Sequence, residues 1–130
     1  VDDSIEEARD RVRELQDDAF AMDAVLKNAD RCEFVMVAAP TDLSLTETDD
    51  LKRSLDESGV KAERLVVNGI LDEAACKNFA SSSLQTQREN LEALDALARE
   101  LSLNIATAPQ FDEDLDGLEG LEALGGALFK

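Results

Sequence analysis

The residues that could do chemistry follow three short apolar runs of the sequence. They are Ala39-Pro40-Thr41 at the end of the first run, Asn68-Gly69 at the end of the second, and the segment 109–116, which includes an acidic loop, at the end of the third. The chain has no His, and no Ser stands beside an activating partner, so the sequence lacks the usual nucleophile and general-base arrangements. The chemistry that remains is recognition of a ligand, and the chain by itself is not predicted to catalyse a reaction.

Glycines and acids near the end of the sequence do not complete a phosphate or metal motif. Gly125 and Gly126 lack the following Lys-Ser or Lys-Thr of a phosphate-binding loop. Asp112, Asp114 and Asp116 alternate as in a calcium loop, but the rest of that ligand set is missing. We interpret the acidic run as solvated surface and predict no metal site there.

Each segment with recognition chemistry follows a predicted strand. The runs EFVMVAAP (33–40), RLVVN (64–68) and LNIATAP (103–109) are almost continuously apolar, which is typical of strands buried on both faces.

Helices are predicted before, between and after these strands. Ser4 with Glu7 forms a capping box for the first helix, and Ser44 with Glu47 forms one for the second, which ends at Gly59. A long third helix is expected to be interrupted near 81–83. Apolar residues also follow helical spacing. One stripe on the first helix contains Ile5, Ala8, Val12, Leu15, Ala19, Met22 and Leu26. In the second helix Leu45, Leu51 and Leu55 are predicted to face inward, and in the last helix Leu118, Leu121, Leu124 and Leu128 lie on one side.

Alternation of strands and helices predicts an α/β fold: a three-layer, mostly parallel sheet fragment with helices on both faces. In such sheets ligands bind beyond the carboxyl ends of the strands. All three recognition segments lie at those ends, so they are the candidate site.

Composition excludes several classes of partner. The chain has 30 acidic and 13 basic residues and a net charge of −17, which argues against nucleic acid and anionic lipid as ligands. Dispersed carboxylates with few Lys resemble proteins of halophilic archaea, the alternative being an ordinary acidic cytoplasmic domain. Cys32 and Cys76 lie far apart, so we expect a reducing cytoplasm; no apolar run is long enough to span a membrane.

Four segments carry a resemblance to a known family. They are EFVMVAAPTDLSLTETDDLKRSL (33–55), VKAERLVVNGIL (60–71), CKNFASSSLQTQRENL (76–91) and NIATAPQFDEDLDGLEGL (104–121). In this order they resemble the second half of the arsenical-pump and tail-anchored-protein-targeting ATPases, which are deviant P-loop ATPases. The resemblance implies that 30–130 is the C-terminal α/β half of a nucleotide-binding domain, the C-terminal half of a P-loop NTPase fold. It also implies that 1–29 is the end of a helical subdomain, whose stripe we expect to be core.

The resemblance also implies the site residues. Asn68 would read adenine, since its amide offers one acceptor and two donors. The loop that follows the third strand would wrap the base and ribose, with Phe111 as a ring partner. The implied nucleotide-binding residues are Asn68, Pro109, Gln110, Phe111, Asp112, Glu113, Asp114, Leu115 and Asp116.

Cofactors and partners follow from the same resemblance. ATP or ADP with Mg²⁺ would bind mainly through an upstream half containing the phosphate loop, and the parent protein would be an ATPase. A homodimer and a membrane-protein client or pump subunit are the implied partners. Two positions depart from the family pattern: Thr41 replaces a Glu, and Phe79 replaces the second Cys of the zinc-binding pair that begins at Cys76. We therefore predict no zinc.

Two other interpretations remain open. Partition and septum-site ATPases share this sheet, but their basic membrane helix has no counterpart in the acidic last helix, which contains Glu119 and Glu122. The second interpretation is a stand-alone regulatory or protein-interaction α/β domain that binds no nucleotide. The sequence does not separate arsenite export from protein targeting.

Overall fold

A three-stranded parallel sheet lies at the centre of the chain. The computed structural model describes residues 2–74, 81–111 and 114–129. The strands are β1 (Phe34–Ala38), β2 (Ala62–Ile70) and β3 (Asn104–Pro109), in the spatial order β1-β2-β3. The helices are α1 (Asp2–Leu26), α2 (Asp42–Glu57), α3 (Ser81–Glu100) and α4 (Gly117–Leu128). The predicted element order and parallel α/β fold are confirmed.

One face of the sheet forms the core, beneath α2 and α3. Register places Met36, Leu65 and Ile105 side by side across the three strands. Leu65 and Val67 are completely buried, as is Leu94 from α3. This cluster anchors α3 against the sheet and fixes where the polar residues of α3 meet the strand ends.

The opposite face of the sheet is only partly covered. Leu128 of α4 lies near Val66 and Ala106 on this face, so helices occupy both sides as predicted. On β1, however, Val35 is 46% exposed and Val37 is 66% exposed. The prediction that every strand is buried on both faces is therefore wrong for β1, because α4 packs along β3 and no described element covers β1 on that side.

Helix ends differ from the predicted capping boxes. The N-cap of α2 is Thr41, whose Oγ1 accepts a hydrogen bond from the Ser44 backbone N–H at 3.4 Å. The first helix already begins at Asp2, so Ser4 lies inside it and is not its cap. Gly59 follows α2 with φ of +73°, which confirms the predicted left-handed end.

Leucines of α2 and α4 are only partly buried, and the predicted inward-facing position of Leu51 is wrong. Leu51 is 47% exposed, whereas Leu45 and Leu55 pack against the core as predicted. In α4, Leu118 and Leu121 are exposed, while Leu124 and Leu128 are half-buried. A leucine stripe is wider than the strip of sheet that each helix covers, so the leucines at its margin stay outside.

The first helix is the largest departure from expectation. Every described side chain of α1 is exposed except that of Val25, which is half-buried. Ile5, Val12 and Leu15 are 49%, 63% and 69% exposed. The expectation that this stripe belongs to the core is wrong for the described residues, because the face of the sheet that forms the core is already filled by α2 and α3.

Candidate functional site

The carboxyl ends of β2 and β3 meet around a bulge. Val67 pairs with Thr107, but the next pair joins Ile70 to Pro109, so β2 holds one extra residue between these pairs. Gly69 lies in this bulge with φ of +77°, a backbone conformation that favours glycine. The bulge interrupts the regular pairing at Asn68 and Gly69, and β2 pairs with β3 again at Ile70.

A backbone hydrogen bond joins the ends of β2 and β3. The Gln110 backbone N–H donates to the Ile70 carbonyl at 2.8 Å. The Gln110 side-chain oxygen also comes close to Gly69, where an added Cβ would lie 3.6 Å from it. The segment after β3 is thereby held against the bulge of β2.

A pocket of about 360 Å³ opens between these segments. It brings together Asn68 and most of the residues predicted from the loop after β3. Its lining residues are Asn68, Gly69, Pro109, Gln110, Phe111, Asp114, Leu115 and Leu124. The sequence had indicated Gly69 as part of the candidate segment at the end of the second strand, but not as one of the nucleotide-binding residues, and Leu124 only as a member of the leucine stripe of the last helix.

Three predicted site residues are not placed in this pocket. Asp116 is the N-cap residue of α4 and does not line it. Asp112 and Glu113 lie outside the described residues. Their proposed contribution to nucleotide binding therefore stays a prediction.

Polarity of the pocket suits a flat, neutral group. The Asn68 side chain is exposed and forms no hydrogen bond within the described part of the chain, so its amide is available to a ligand. Phe111 is a half-buried ring in the same wall. No Lys or Arg is among the lining residues, and Asp114 adds a carboxylate, so this pocket would repel phosphate groups and accept an uncharged ring.

A second pocket, of about 440 Å³, lies on the other side of the bulge, at the ends of β1 and β2. Gly69 borders both pockets. The second one is lined largely by uncharged polar groups from α3, namely Ser82, Ser83, Thr86 and Gln87. Thr41 also lines it, but its hydroxyl is engaged with Ser44 in capping α2.

Two buried amides of α3 join the strand ends to the helix. Gln87 is 6% exposed and makes two hydrogen bonds to the backbone of Leu71, just beyond β2. Asn90 is 4% exposed, and its Nδ2 donates to the Pro40 carbonyl just beyond β1, at 3.1 Å. Sequence reasoning missed both roles. The available signal was that Gln87 and Asn90 adjoin the apolar stripe through Leu84, Leu91 and Leu94, where a buried polar group needs a partner.

An ion pair also ties the segment after β2 to α3. Arg88 donates from Nε and Nη2 to the two carboxylate oxygens of Glu73, at 2.6 and 2.7 Å. This hydrogen bonding lowers the pKa of the Glu73 carboxyl. The pair is exposed, so it orients the segment more than it stabilises the fold.

The described ranges contain neither a metal-binding cluster nor a membrane-spanning helix. In them, no three His, Cys, Asp or Glu side chains form a group that could hold a metal ion. Cys76, the position on which the zinc prediction depends, lies outside those ranges. Among the described helices, none is both long and apolar enough to cross a bilayer.

Comparison with known proteins gives consistent matches. The family model for anion-transporting ATPases matches residues 1–130. ATPase GET3B of Arabidopsis thaliana is 28% identical over 95% of this chain and 30% of its own length. ATPase GET3C of the same plant is 30% identical over 82% of the chain and 27% of its own length. A Halobacterium salinarum protein named "Putative arsenical pump-driving ATPase" is 29% identical over 80% of the chain and 16% of its own length. The chain thus spans less than a third of the length of these relatives.

Proposed function

Because the chain belongs to the anion-transporting ATPase family, we propose that it is the C-terminal part of an ATPase and recognises the adenine and ribose of ATP or ADP. The observation that carries the proposal is the pocket that gathers Asn68 with the segment after β3. Residues 41 positions apart in sequence, Asn68 and Pro109, meet there because parallel strands end at one edge of the sheet.

Base recognition follows from the chemistry of the lining groups. The Asn68 amide can accept from the adenine amino group and donate to a ring nitrogen, a pairing that proteins commonly use for adenine. Phe111 offers an aromatic surface for the ring. Gln110 and Asp114 supply oxygen acceptors for ribose hydroxyls. Asp112, Glu113, Leu115 and Asp116 belong to the same proposed loop.

The phosphates and Mg²⁺ require groups from elsewhere in the protein. A triphosphate needs cations and backbone N–H groups, and the lining of the Asn68 pocket contains no cationic side chain. We assign those contacts to an upstream half that contains the phosphate loop. The nucleotide supplies a phosphoanhydride for hydrolysis, while the residues of this chain hold its base; the chain alone is therefore inactive.

The uncovered surfaces support a place within a larger domain. Val35 and Val37 are exposed on β1, and β1 is an edge strand of the described sheet. An edge with exposed valines is suited to pairing with further strands. We propose that 30–130 completes the nucleotide-binding domain in this way and that 1–29 ends a helical subdomain. The exposed stripe of α1 supports the second assignment.

Partners of the whole protein follow from the same proposal. We propose a cytoplasmic protein that forms a homodimer and serves a membrane-protein client or a pump subunit, without zinc. Its relatives include both GET3-type ATPases and a protein named as an arsenical pump-driving ATPase, so the proposal covers both tasks for the parent protein.

The direct test is nucleotide affinity in the full-length protein that contains this segment. Asn68→Ala should weaken ADP binding by roughly tenfold, in line with about 1–3 kcal/mol for a paired base contact, and should leave GDP affinity unchanged. Asn104→Ala is the matched control, because Asn104 is an exposed asparagine at the opposite end of the sheet. Equal ADP affinity in the Asn68 variant and the unmodified protein would refute the proposed role.

A further inference from the structure

Gln87 makes an unusual pair of contacts for a buried helix residue. Its Oε1 accepts from the Leu71 backbone N–H at 2.8 Å, and its Nε2 donates to the Leu71 carbonyl at 3.1 Å. One side-chain amide therefore satisfies both backbone groups of a single residue. The contact spans 16 positions of sequence and joins α3 to the end of β2.

Packing alone does not require an amide at this position. The neighbouring inward residues of α3, Leu91 and Leu94, are apolar, and an apolar side chain at Gln87 would continue their stripe. The amide of Gln87 is needed instead by the backbone N–H and carbonyl of Leu71, which both bond to it. Strand β2 ends at Ile70, so Leu71 is beyond the ladder; the residue is half-buried, and both of its backbone groups bond to Gln87. Gln87 acts there as a substitute for a peptide group of a neighbouring strand.

The bulge of β2 is held at two points. On the side of β3, the Gln110 N–H donates to the Ile70 carbonyl. On the side of α3, Gln87 fixes Leu71, only three residues beyond Asn68. Between them Gly69 has a positive φ, so this stretch has more conformational freedom than a regular strand. The direction of the Asn68 amide depends on both points.

We propose that Gln87 is a positioning residue for the adenine site, acting through Leu71 and the Gly69 bulge to aim the Asn68 amide at the base. The inference rests on the proposed function and extends it by assigning base selectivity to a residue that does not line the Asn68 pocket. Gln87 borders the second pocket instead, on the far side of the bulge.

Asn90 provides a matched control. It lies three residues further along α3, is equally buried and also bonds a backbone carbonyl at a strand end. Its partner is Pro40 at the end of β1, which is not part of the Asn68 pocket. Loss of either amide removes a buried hydrogen-bonding group, but only loss of Gln87 releases the bulge.

The experiment compares ADP and GDP affinities in the full-length protein. Gln87→Met keeps the length of the side chain and removes both hydrogen bonds. We expect it to weaken ADP binding by about tenfold while GDP binding is unchanged, because displacement of a contact group lowers selectivity without blocking the pocket. Asn90→Leu should lower thermal stability to a similar extent and keep the preference for ADP.

A second variant keeps the test valid if Gln87→Met fails to fold. In Gln87→Glu the ionised carboxylate accepts from Leu71 N–H but repels the Leu71 carbonyl, whereas the protonated form can donate and so restores both bonds. The preference of this variant for ADP should therefore recover as pH falls, with no matching change in the unmodified protein.

The outcomes separate the two proposals. If Asn68→Ala abolishes the ADP preference and Gln87→Met does not, the positioning role is wrong and the proposed function stands. Equal loss of preference in Gln87→Met and Asn90→Leu would also overturn the positioning role, since it would reflect stability alone. If Asn68→Ala leaves the preference intact, the proposed function fails, and the role of Gln87 fails with it.

Discussion

Replacing Gly69 by Ala should lower both the free energy of unfolding and the affinity for nucleotide. The structure shows whether the loss of stability comes from steric overlap or from backbone strain. An added Cβ would meet only the Gln110 side-chain oxygen, at 3.6 Å, which is an ordinary contact distance. Steric overlap is therefore not the source of the cost. The source is the φ of +77°, which an L-residue adopts at a penalty of about 1–2 kcal/mol.

Gly59→Ala is the matched control for this change. Gly59 has a φ of +73°, and its Cβ would lie 3.9 Å from atoms of the Lys27 side chain, so the strain and the available space are alike. Gly59 lies between α2 and β2, before the start of β2, whereas the bulge is at the other end of that strand. Both variants should lose about 1–2 kcal/mol, equivalent to a fall of roughly 0.5–1 M in the urea midpoint of the 130-residue chain.

Only the Gly69 variant should change nucleotide affinity. The introduced residue can relieve its strain by rotating φ toward negative values, which would straighten the bulge and redirect Asn68. In the full-length protein, ADP affinity measured by calorimetry should fall by about tenfold for Gly69→Ala and remain unchanged for Gly59→Ala. The reasoning is refuted if Gly69→Ala loses stability but binds ADP as the unmodified protein does, or if both variants bind equally weakly.

Three further predictions concern the core, the ion pair and the charge. Leu94→Ala should lower the free energy of unfolding by about 3–5 kcal/mol in a denaturant titration, because Leu94 is completely buried. Val37→Ala should lower it by less than about 0.5 kcal/mol, because Val37 is 66% exposed. Similar losses in the two variants would contradict the assigned core. The hydrogen bonds from Arg88 hold the pKa of the Glu73 carboxyl below its usual value. The ion pair therefore stabilises the folded state at pH values above the pKa that Glu73 has in the unfolded chain, and this stabilisation is lost as the pH falls through the lower pKa of the folded state. In Arg88→Gln, the Glu73 carboxyl should titrate at higher pH by NMR, and an unchanged midpoint would count against the ion pair. The melting temperature should rise from low to molar KCl because screening relieves a net charge of −17, and no rise would rule out the halophilic interpretation.

The order of elements was predictable because it depends on local pattern. Gly59 illustrates this: the end of an apolar-periodic run followed by Gly predicts a left-handed helix end, and the structure shows it. Strand positions also followed from short apolar runs, as did the meeting of Asn68 with Pro109 at one edge of the sheet.

What local pattern could not predict is which surfaces are covered. Val37 and Leu51 have the spacing of core residues but are exposed, since burial depends on neighbours that lie far away in sequence. The N-cap of α2 is Thr41 and not Ser44, and because Ser and Thr are both good N-caps, two such residues three positions apart leave the first residue of the helix ambiguous in the sequence. The contact of Gln87 with Leu71 depends on how α3 docks, which only the assembled sheet defines.

A structure of the full-length protein with bound ADP would test the central claim most directly. The account predicts the adenine in the pocket between β2 and the segment after β3, with its amino group and a ring nitrogen about 3 Å from the Asn68 amide and its ring beside Phe111. Adenine bound elsewhere, with the Asn68 amide turned away from it, would contradict the account.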